Sequence, residues 1–248
     1  MKTLGIIPAR GGSKRIIKKN LALLLGKPLI FYTIREAKKA NLERLIVSTE
    51  DPEIASFSAS EGVEVIERPE ELAKDETPSI LVYQHTLKYL EERGFLPDVV
   101  VILQPTSPLR KAAHINQSIE LLMKEGCDAV VSVCLAEKNP YWMVRLDEGN
   151  KLSFLFPEGK SYSRRQDLPD VYLLNGAVYT LKRPIITSGK IWDCDIRGLV
   201  MEEEDSVDID TKLDLLLAET ILTRCKDSSS LDLLLAETIL TRCKDSSS

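Results

Sequence analysis

Val99-Val100-Val101-Ile102-Leu103, followed at once by Gln104-Pro105-Thr106-Ser107, is the stretch on which the fold turns. An unbroken apolar run of this length, rich in β-branched residues, makes a strand buried on both faces, as in the middle of a parallel sheet with helices on either side. Polar residues replace the apolar ones where that strand ends. Ligands of open α/β sheets bind beyond the carboxyl ends of the strands, so Gln104, Thr106 and Ser107 stand where a substrate belongs.

Working outward, Thr3 to Ile7, Leu45 to Ser48, Val63 to Ile66 and Ala129 to Val133 read as further strands. Between them Leu29 to Ala40, Pro52 to Glu61, Ser79 to Arg93 and Ala113 to Glu125 space their apolar residues three or four apart, which predicts helices. The alternation predicts a mainly parallel sheet in a three-layer α/β fold. It breaks after Leu135. Residues 139–171 hold prolines, glycines, aromatic residues and short strand-like pieces such as Trp142 to Arg145, as a small β-rich insertion would. Tyr172 to Leu174 and Ala177 to Leu181 resume the sheet, and Lys212 to Cys225 reads as a closing helix.

The 248 residues fit one large domain over 1–230, and 44% hydrophobic with 29% charged residues is the composition of a water-exposed globular surface around a core. No apolar run approaches the roughly 20 residues of a membrane span, and the N-terminus shows no secretory leader, so a cytoplasmic protein without a membrane partner is expected. Five cysteines (Cys127, Cys134, Cys194, Cys225, Cys243) form no C-x-x-C pair and read as small core residues. With two histidines, His85 and His114, a histidine metal centre or a Ser-His-Asp triad is disfavoured. Leu213 to Ser230 recurs unchanged as Leu231 to Ser248; repeat folds diverge and need several copies, so 231–248 is read as an artefact or a recent duplication.

Against a net charge of −5, Ile6 to Asn20 gathers Arg10, Lys14, Arg15, Lys18 and Lys19 around Gly11-Gly12-Ser13, directly after the first strand. Glycines let peptide N–H groups approach a phosphate, and Arg and Lys supply the opposite charge. Neither common phosphate fingerprint is present. On residues alone the loop fits a polyphosphate site, a solvated basic turn or a nucleic-acid patch; overall acidity and the lack of interleaved aromatic residues argue against nucleic acid. Asp208 and Asp210, one residue apart, project to the same side of an extended segment and suit Mg²⁺, with a solvated acidic turn as the alternative.

Ile7-Pro8-Ala9-Arg10-x-Gly12-Ser13-Lys14 with Lys19-Asn20 resembles the opening motif of the acylneuraminate cytidylyltransferases, which make CMP-sialic acid and its relatives. Gln104-Pro105-Thr106-Ser107-Pro108-Leu109-Arg110 is similar to that family's central loop. Arg165-Gln166-Asp167-Leu168-Pro169 with Tyr172, Asn175-Gly176-Ala177 and Tyr179 resembles its sugar-side segment, and Asp208-Ile209-Asp210 its terminal acidic pair. The likeness keeps its order from about residue 3 to about residue 225.

The resemblance implies a Rossmann-like nucleotidyltransferase sheet, CTP and a nine-carbon 2-keto sugar acid as substrates, Mg²⁺ as cofactor, and a homodimer joined through the 139–171 arm. Arg10, Ser13, Lys19, Asn20, Arg68 and Ser79 would hold the nucleotide, with Arg10 and Lys19 catalytic on the phosphates. Asp208 and Asp210 would carry the metal. Gln104, Thr106, Ser107, Asn175 and Tyr179 would meet the sugar, and Arg165, from the neighbouring subunit, its carboxylate. Lys14, Arg15 and Lys18 read as solvated, and Trp142 and Trp192 as core or interface. Kdo cytidylyltransferases carry a Gly-Asp-Glu-Pro type of loop in place of Gln104 to Ser107, and pseudaminate relatives match less well there. Arg15 stands where the sialic-acid branch commonly has glycine, which leaves neuraminate, legionaminate or a relative as the sugar.

Overall fold

A computed structural model describes residues 1–224. The copy at 231–248, the duplication's first-copy end, Cys225 and Cys243 lie outside those residues. The strands of the main sheet are β1 (Thr3–Pro8), β4 (Arg44–Thr49), β5 (Glu64–Glu67), β6 (Val99–Ile102), β7 (Ala129–Leu135), β10 (Tyr172–Lys182) and β11 (Ile196–Val200). Two short hairpins, β2 (Leu23–Leu24) with β3 (Lys27–Pro28) and β8 (Val144–Leu146) with β9 (Leu152–Phe154), stand apart from it. Helices α1 (Leu29–Ala37), α2 (Pro52–Ser60), α3 (Ser79–Glu91), α4 (Ala112–Glu125) and α5 (Arg183–Ser188) cover the sheet, and residues 212–224 are helical.

The seven strands run in the order β11-β7-β10-β6-β1-β4-β5. All pairs are parallel except those of β10, which is antiparallel to both β6 and β7. The two-sided burial expected of residues 99–103 appears as a division by parity. Val99, Val101 and Leu103 enter the core cluster that also holds Ile30 and Ile34 of α1 and Ile115 and Ile119 of α4. Val100 and Ile102 enter the opposite cluster, with Val82, Tyr83 and Leu87 of α3 and Ile186 of α5. At roughly 1.5–3 kcal/mol for each fully buried aliphatic side chain, these two layers dominate the fold's stability. A third cluster, including Leu24, Leu29, Tyr32, Leu109, Ile209 and Ala218, docks the helix at 212–224.

Tyr172–Leu174 and Ala177–Leu181, expected as two strands, form the single β10. A bulge absorbs the difference: between Leu174 and Tyr179, β10 advances five residues while its partner β7 advances two, from Val133 to Val131. Sequence reading misses β11 altogether, because Ile196-Arg197-Gly198-Leu199-Val200 is a partly exposed edge strand whose charge and glycine obscure any alternation. The insertion, expected to be β-rich, holds one short hairpin, β8–β9, and more residues in short 3-10 turns than in strands; Trp142 lies in one of those turns because Pro140 opens it. No helix among the described residues is long and apolar enough to cross a membrane. Cys127 and Cys134 are buried and Cys194 half-buried, all as free thiols.

Candidate active site

Three strands of the sheet, β1, β5 and β6, deliver their carboxyl ends to one cleft of about 600 Å³. Pro8 at the end of β1 starts the basic loop, Arg68 follows β5, and Gln104 follows β6, while Glu50, which follows β4, does not itself line the cleft. Among the residues expected to act, Arg10, Ser13, Lys19, Asn20, Arg68, Ser79, Gln104, Thr106 and Asp210 all line this cleft.

The basic loop is held by its own polar groups. Ser13 Oγ accepts from Lys19 N at 2.9 Å, and Asn20, 7% exposed, donates Nδ2 to Arg10 O at 2.8 Å. Gly11 N donates to Glu50 Oε1 at 2.7 Å, and Arg68 Nε donates to Glu50 Oε2 at 2.8 Å. Arg68 Nη2 lies 2.7 Å from that second oxygen but off the line of a hydrogen bond. Glu50 thus ties the loop to the Arg68 side of the cleft, a role that sequence spacing did not reveal.

Every cation of the loop has an acidic partner. Arg10 Nη1 reaches Asp75 Oδ1 at 2.6 Å, and Lys14 pairs with the same carboxylate. Lys14 and Arg10 hold the Asp75 carboxyl below its ordinary range through their hydrogen bonds. Lys18 pairs with Glu53 outside the cleft. Lys19, only 17% exposed at its side chain, donates Nζ to Ile209 O at 2.8 Å and to Asp210 Oδ1 at 2.9 Å, while Arg15 Nη1 meets Asp210 Oδ2 at 3.0 Å. Lys14, Arg15 and Lys18, expected to be merely solvated, therefore form exposed ion pairs.

Asp208 and Asp210 straddle the fully buried Ile209, as alternation predicts. Thr106 fixes the segment: its carbonyl accepts from Ile209 N at 2.8 Å, and its side chain, close to the Asp208 carboxyl, favours the charged form of that group. The two acids differ electrostatically. Lys19, chiefly by hydrogen bonding, holds the Asp210 carboxyl below its usual range. Asp208 keeps a face open to solvent, yet the protein around its carboxyl removes enough hydration to push it up, with Asp210 repelling it further. No lysine or arginine among the described residues forms an ion pair with Asp208. An uncompensated carboxylate beside a second one, both hard oxygen donors, suits a divalent cation. Among the described residues no group of three or more His, Cys, Asp or Glu could hold a metal, so the remaining ligands of a cation here would come from water or substrate.

A recess of about 140 Å³ adjoins the cleft, lined by Ser79, Tyr83, Ile102, Gln104, Tyr179, Leu181, Ile191 and Trp192. Ser79, Tyr83 and Gln104 belong to both spaces. Burial, and then the Asp208 charge, raises the Tyr179 phenol. Trp192 is 59% exposed and faces this recess, so it is not a core residue. Its isolated position in a loop carried no sequence signal.

Three expected sugar contacts lie elsewhere. Ser107 is fully buried, with Oγ unpaired beneath the cleft wall. Asn175, 4% exposed, has its amide committed: Oδ1 accepts from Ser132 Oγ at 2.6 Å and Nδ2 donates to Ser206 Oγ at 2.9 Å. That pairing clamps the bulge of β10. Arg165 is exposed in the insertion, where Nη2 donates to Glu137 O at 3.2 Å, and it does not line the cleft.

Comparison with known proteins gives a consistent assignment. An N-acylneuraminate cytidylyltransferase of Escherichia coli O18:K1:H7 is 34% identical over 224 residues, covering 89% of this chain and 52% of that protein, so the chain spans about half the length of that relative. A CMP-N,N'-diacetyllegionaminic acid synthase of Legionella pneumophila is 34% identical over 228 residues, covering 90% of this chain and 97% of that one. The solved structure of a CMP:2-keto-3-deoxy-manno-octonic acid synthetase complexed with CTP superposes with a TM-score of 0.70 at 15% identity, covering 90% of this chain and 99% of that one, and so shares the fold. The family model described as cytidylyltransferase matches residues 4–218, almost the whole of the sheet and its cleft, and the chain belongs to that family.

Proposed function

We propose that this chain is a Mg²⁺-dependent cytidylyltransferase that joins CTP to a nine-carbon 2-keto sugar acid of the N-acylneuraminate or legionaminate type. The observation that carries the reading is the contact of Lys19 with Asp210 across 191 positions of sequence: the phosphate-suited loop and Asp210 of the acidic pair line one cleft at the strand ends. The similarity to the neuraminate and legionaminate enzymes supports the substrate class.

In this reading Arg10 and Lys19 neutralise the triphosphate, exchanging their carboxylate partners for phosphate oxygens, and Ser13 and Asn20 keep the loop in shape. Arg68 and Ser79 border the nucleotide's base end. Gln104, Thr106 and Tyr179 face the sugar. The anomeric hydroxyl oxygen forms a bond to the α-phosphorus and loses its proton as the α–β bridging bond breaks and pyrophosphate departs. Asp208 and Asp210 would hold Mg²⁺, which supplies positive charge at the phosphates when bound. Positioning and electrostatics, rather than a protein nucleophile, lower the barrier.

A second copy of the chain completes the proposal. The arm exposes Trp142, Met143, Val144, Leu146, Leu152 and Phe156, and β10 exposes Tyr172, Leu173 and Leu174 beside it. So much apolar surface in one region calls for a partner. A homodimer paired there would offer the exposed Arg165 to the neighbouring cleft as the sugar carboxylate's bidentate partner. A cytoplasmic setting accords with CTP as substrate and with free thiols. The test is pyrophosphate release from CTP with N-acetylneuraminate, N,N'-diacetyllegionaminate, pseudaminate and Kdo, with and without Mg²⁺. Release with either of the first two that stops on chelation is expected; exclusive use of pseudaminate or Kdo, or no release with any of the four, would refute the assignment.

A further inference from the structure

Arg110 is the largest fully buried side chain of the protein's described part. Burial lowers its guanidinium to about 9, which leaves it charged at neutral pH. Nη1 donates to two main-chain carbonyls, Gln104 O at 3.1 Å and Ala177 O at 2.7 Å. Nε and Nη2 find no hydrogen-bond partner among the described residues, and no carboxylate forms an ion pair with it there. An enclosed cation with two unused donor atoms opposes folding, and an apolar side chain of similar volume is often no worse for stability.

What this side chain gains is geometric. Its two carbonyls belong to different segments, the turn that ends β6 and the bulge of β10, and the Gln104 side chain packs against Gly176 of that bulge. Gly176, in the bulge at φ +71°, makes room for it: a Cβ there would stand 2.9 Å from Gln104 Oε1. The other donors to Gln104 O, Thr33 Oγ1 and Ser107 N, are both at 3.4 Å, so Arg110 makes the short bond that holds this turn against the bulge. Gln104 in turn borders both the cleft and the recess beside it.

We propose that Arg110 is a positioning residue that, with Gly176, holds the Gln104 side chain in place for the sugar acid. The inference rests on the reading above that Gln104 faces the sugar. With whichever of N-acetylneuraminate or N,N'-diacetyllegionaminate turns over as the probe, KM for sugar and for CTP is measured in Gln104→Ala, Arg110→Met and the double variant. Gln104→Ala and Arg110→Met should each raise the sugar KM by about tenfold and leave the CTP KM within about twofold, as loss of an oriented hydrogen bond predicts. In the double variant the sugar KM should equal that of Gln104→Ala alone, because Arg110 acts through Gln104. Multiplying effects, or an equal rise in both KM values, would overturn the inference while leaving the sugar reading intact. A silent Gln104→Ala would remove the sugar reading and this inference with it. Should Arg110→Met not fold, Gly176→Ala enters the same cycle in its place, since its Cβ displaces the Gln104 side chain from the other flank.

Discussion

Replacing Asp210 by asparagine separates a residue needed for chemistry from one needed for folding. Asp210 receives Lys19 at 2.9 Å and Arg15 at 3.0 Å, but its side chain is 51% exposed, and the Arg15 side chain 70% exposed. Pairs so open to water contribute about 0–1 kcal/mol each. For a domain of this size about 1 kcal/mol shifts Tm by roughly 2–4 °C. Turnover should respond far more. Removing a carboxylate that anchors a cation at the phosphates should lower kcat at least about 10²-fold, which is about 2.7 kcal/mol of barrier. The two figures are read by pyrophosphate release at increasing Mg²⁺ and by thermal unfolding without nucleotide or metal. Asp208→Asn should match the first loss and reverse the second effect. Burial and Asp210 raise the Asp208 carboxyl above its unfolded value, so its charge opposes folding at neutral pH. The wild-type protein should gain stability from this group as pH falls through the raised folded value toward the unfolded one. The Asn variant lacks that gain, and its metal-free Tm at neutral pH should be unchanged or higher. Near-normal turnover of both variants at saturating Mg²⁺, or a fall in turnover matched by an equal loss of stability, would refute this reasoning.

Three further outcomes are expected. Arg10→Ala and Lys19→Ala should each cut kcat/KM for CTP by about 10²-fold or more, and the wild-type protein should not bind duplex DNA or RNA at physiological salt; tight, salt-sensitive nucleic-acid binding indifferent to CTP would reverse the reading of the loop. Asp75→Asn should tighten binding of inorganic triphosphate several-fold by calorimetry, since it frees Arg10 and Lys14 from the carboxylate that now occupies them; unchanged or weaker binding would show that Asp75 aids the anion rather than competing with it. Mixing Arg165→Ala with Arg10→Ala protein should restore activity, because a hybrid dimer contains one site with both arginines, and no recovery despite proven subunit exchange would confine Arg165 to its own subunit or exclude it.

The central strand, the layered α/β architecture and the basic-loop side of the cleft were all legible in the chain itself, because each rests on local chemistry. Val99 to Leu103 is apolar at every position, and a strand can satisfy that only by burying both faces. Arg10, Ser13, Lys19 and Asn20 are close in sequence and line the cleft from one loop, so their spacing already brings them together. Other features depend on which distant segments meet. The carboxylates that hold the loop, Glu50 at the Gly11 amide and Asp75 and Asp210 at its cations, are ordinary surface acids until the strand order places them at one end of the sheet. Ser107 and Asn175 share motifs with residues of the cleft, yet the turn after β6 buries the first and the bulge of β10 engages the second with Ser132 and Ser206. Arg110 reads as one more surface cation in the chain. Only the tertiary structure places it beneath the cleft, holding Gln104 O and Ala177 O, because a hydrogen bond between segments 67 positions apart is set by the packing of the sheet and not by either segment alone.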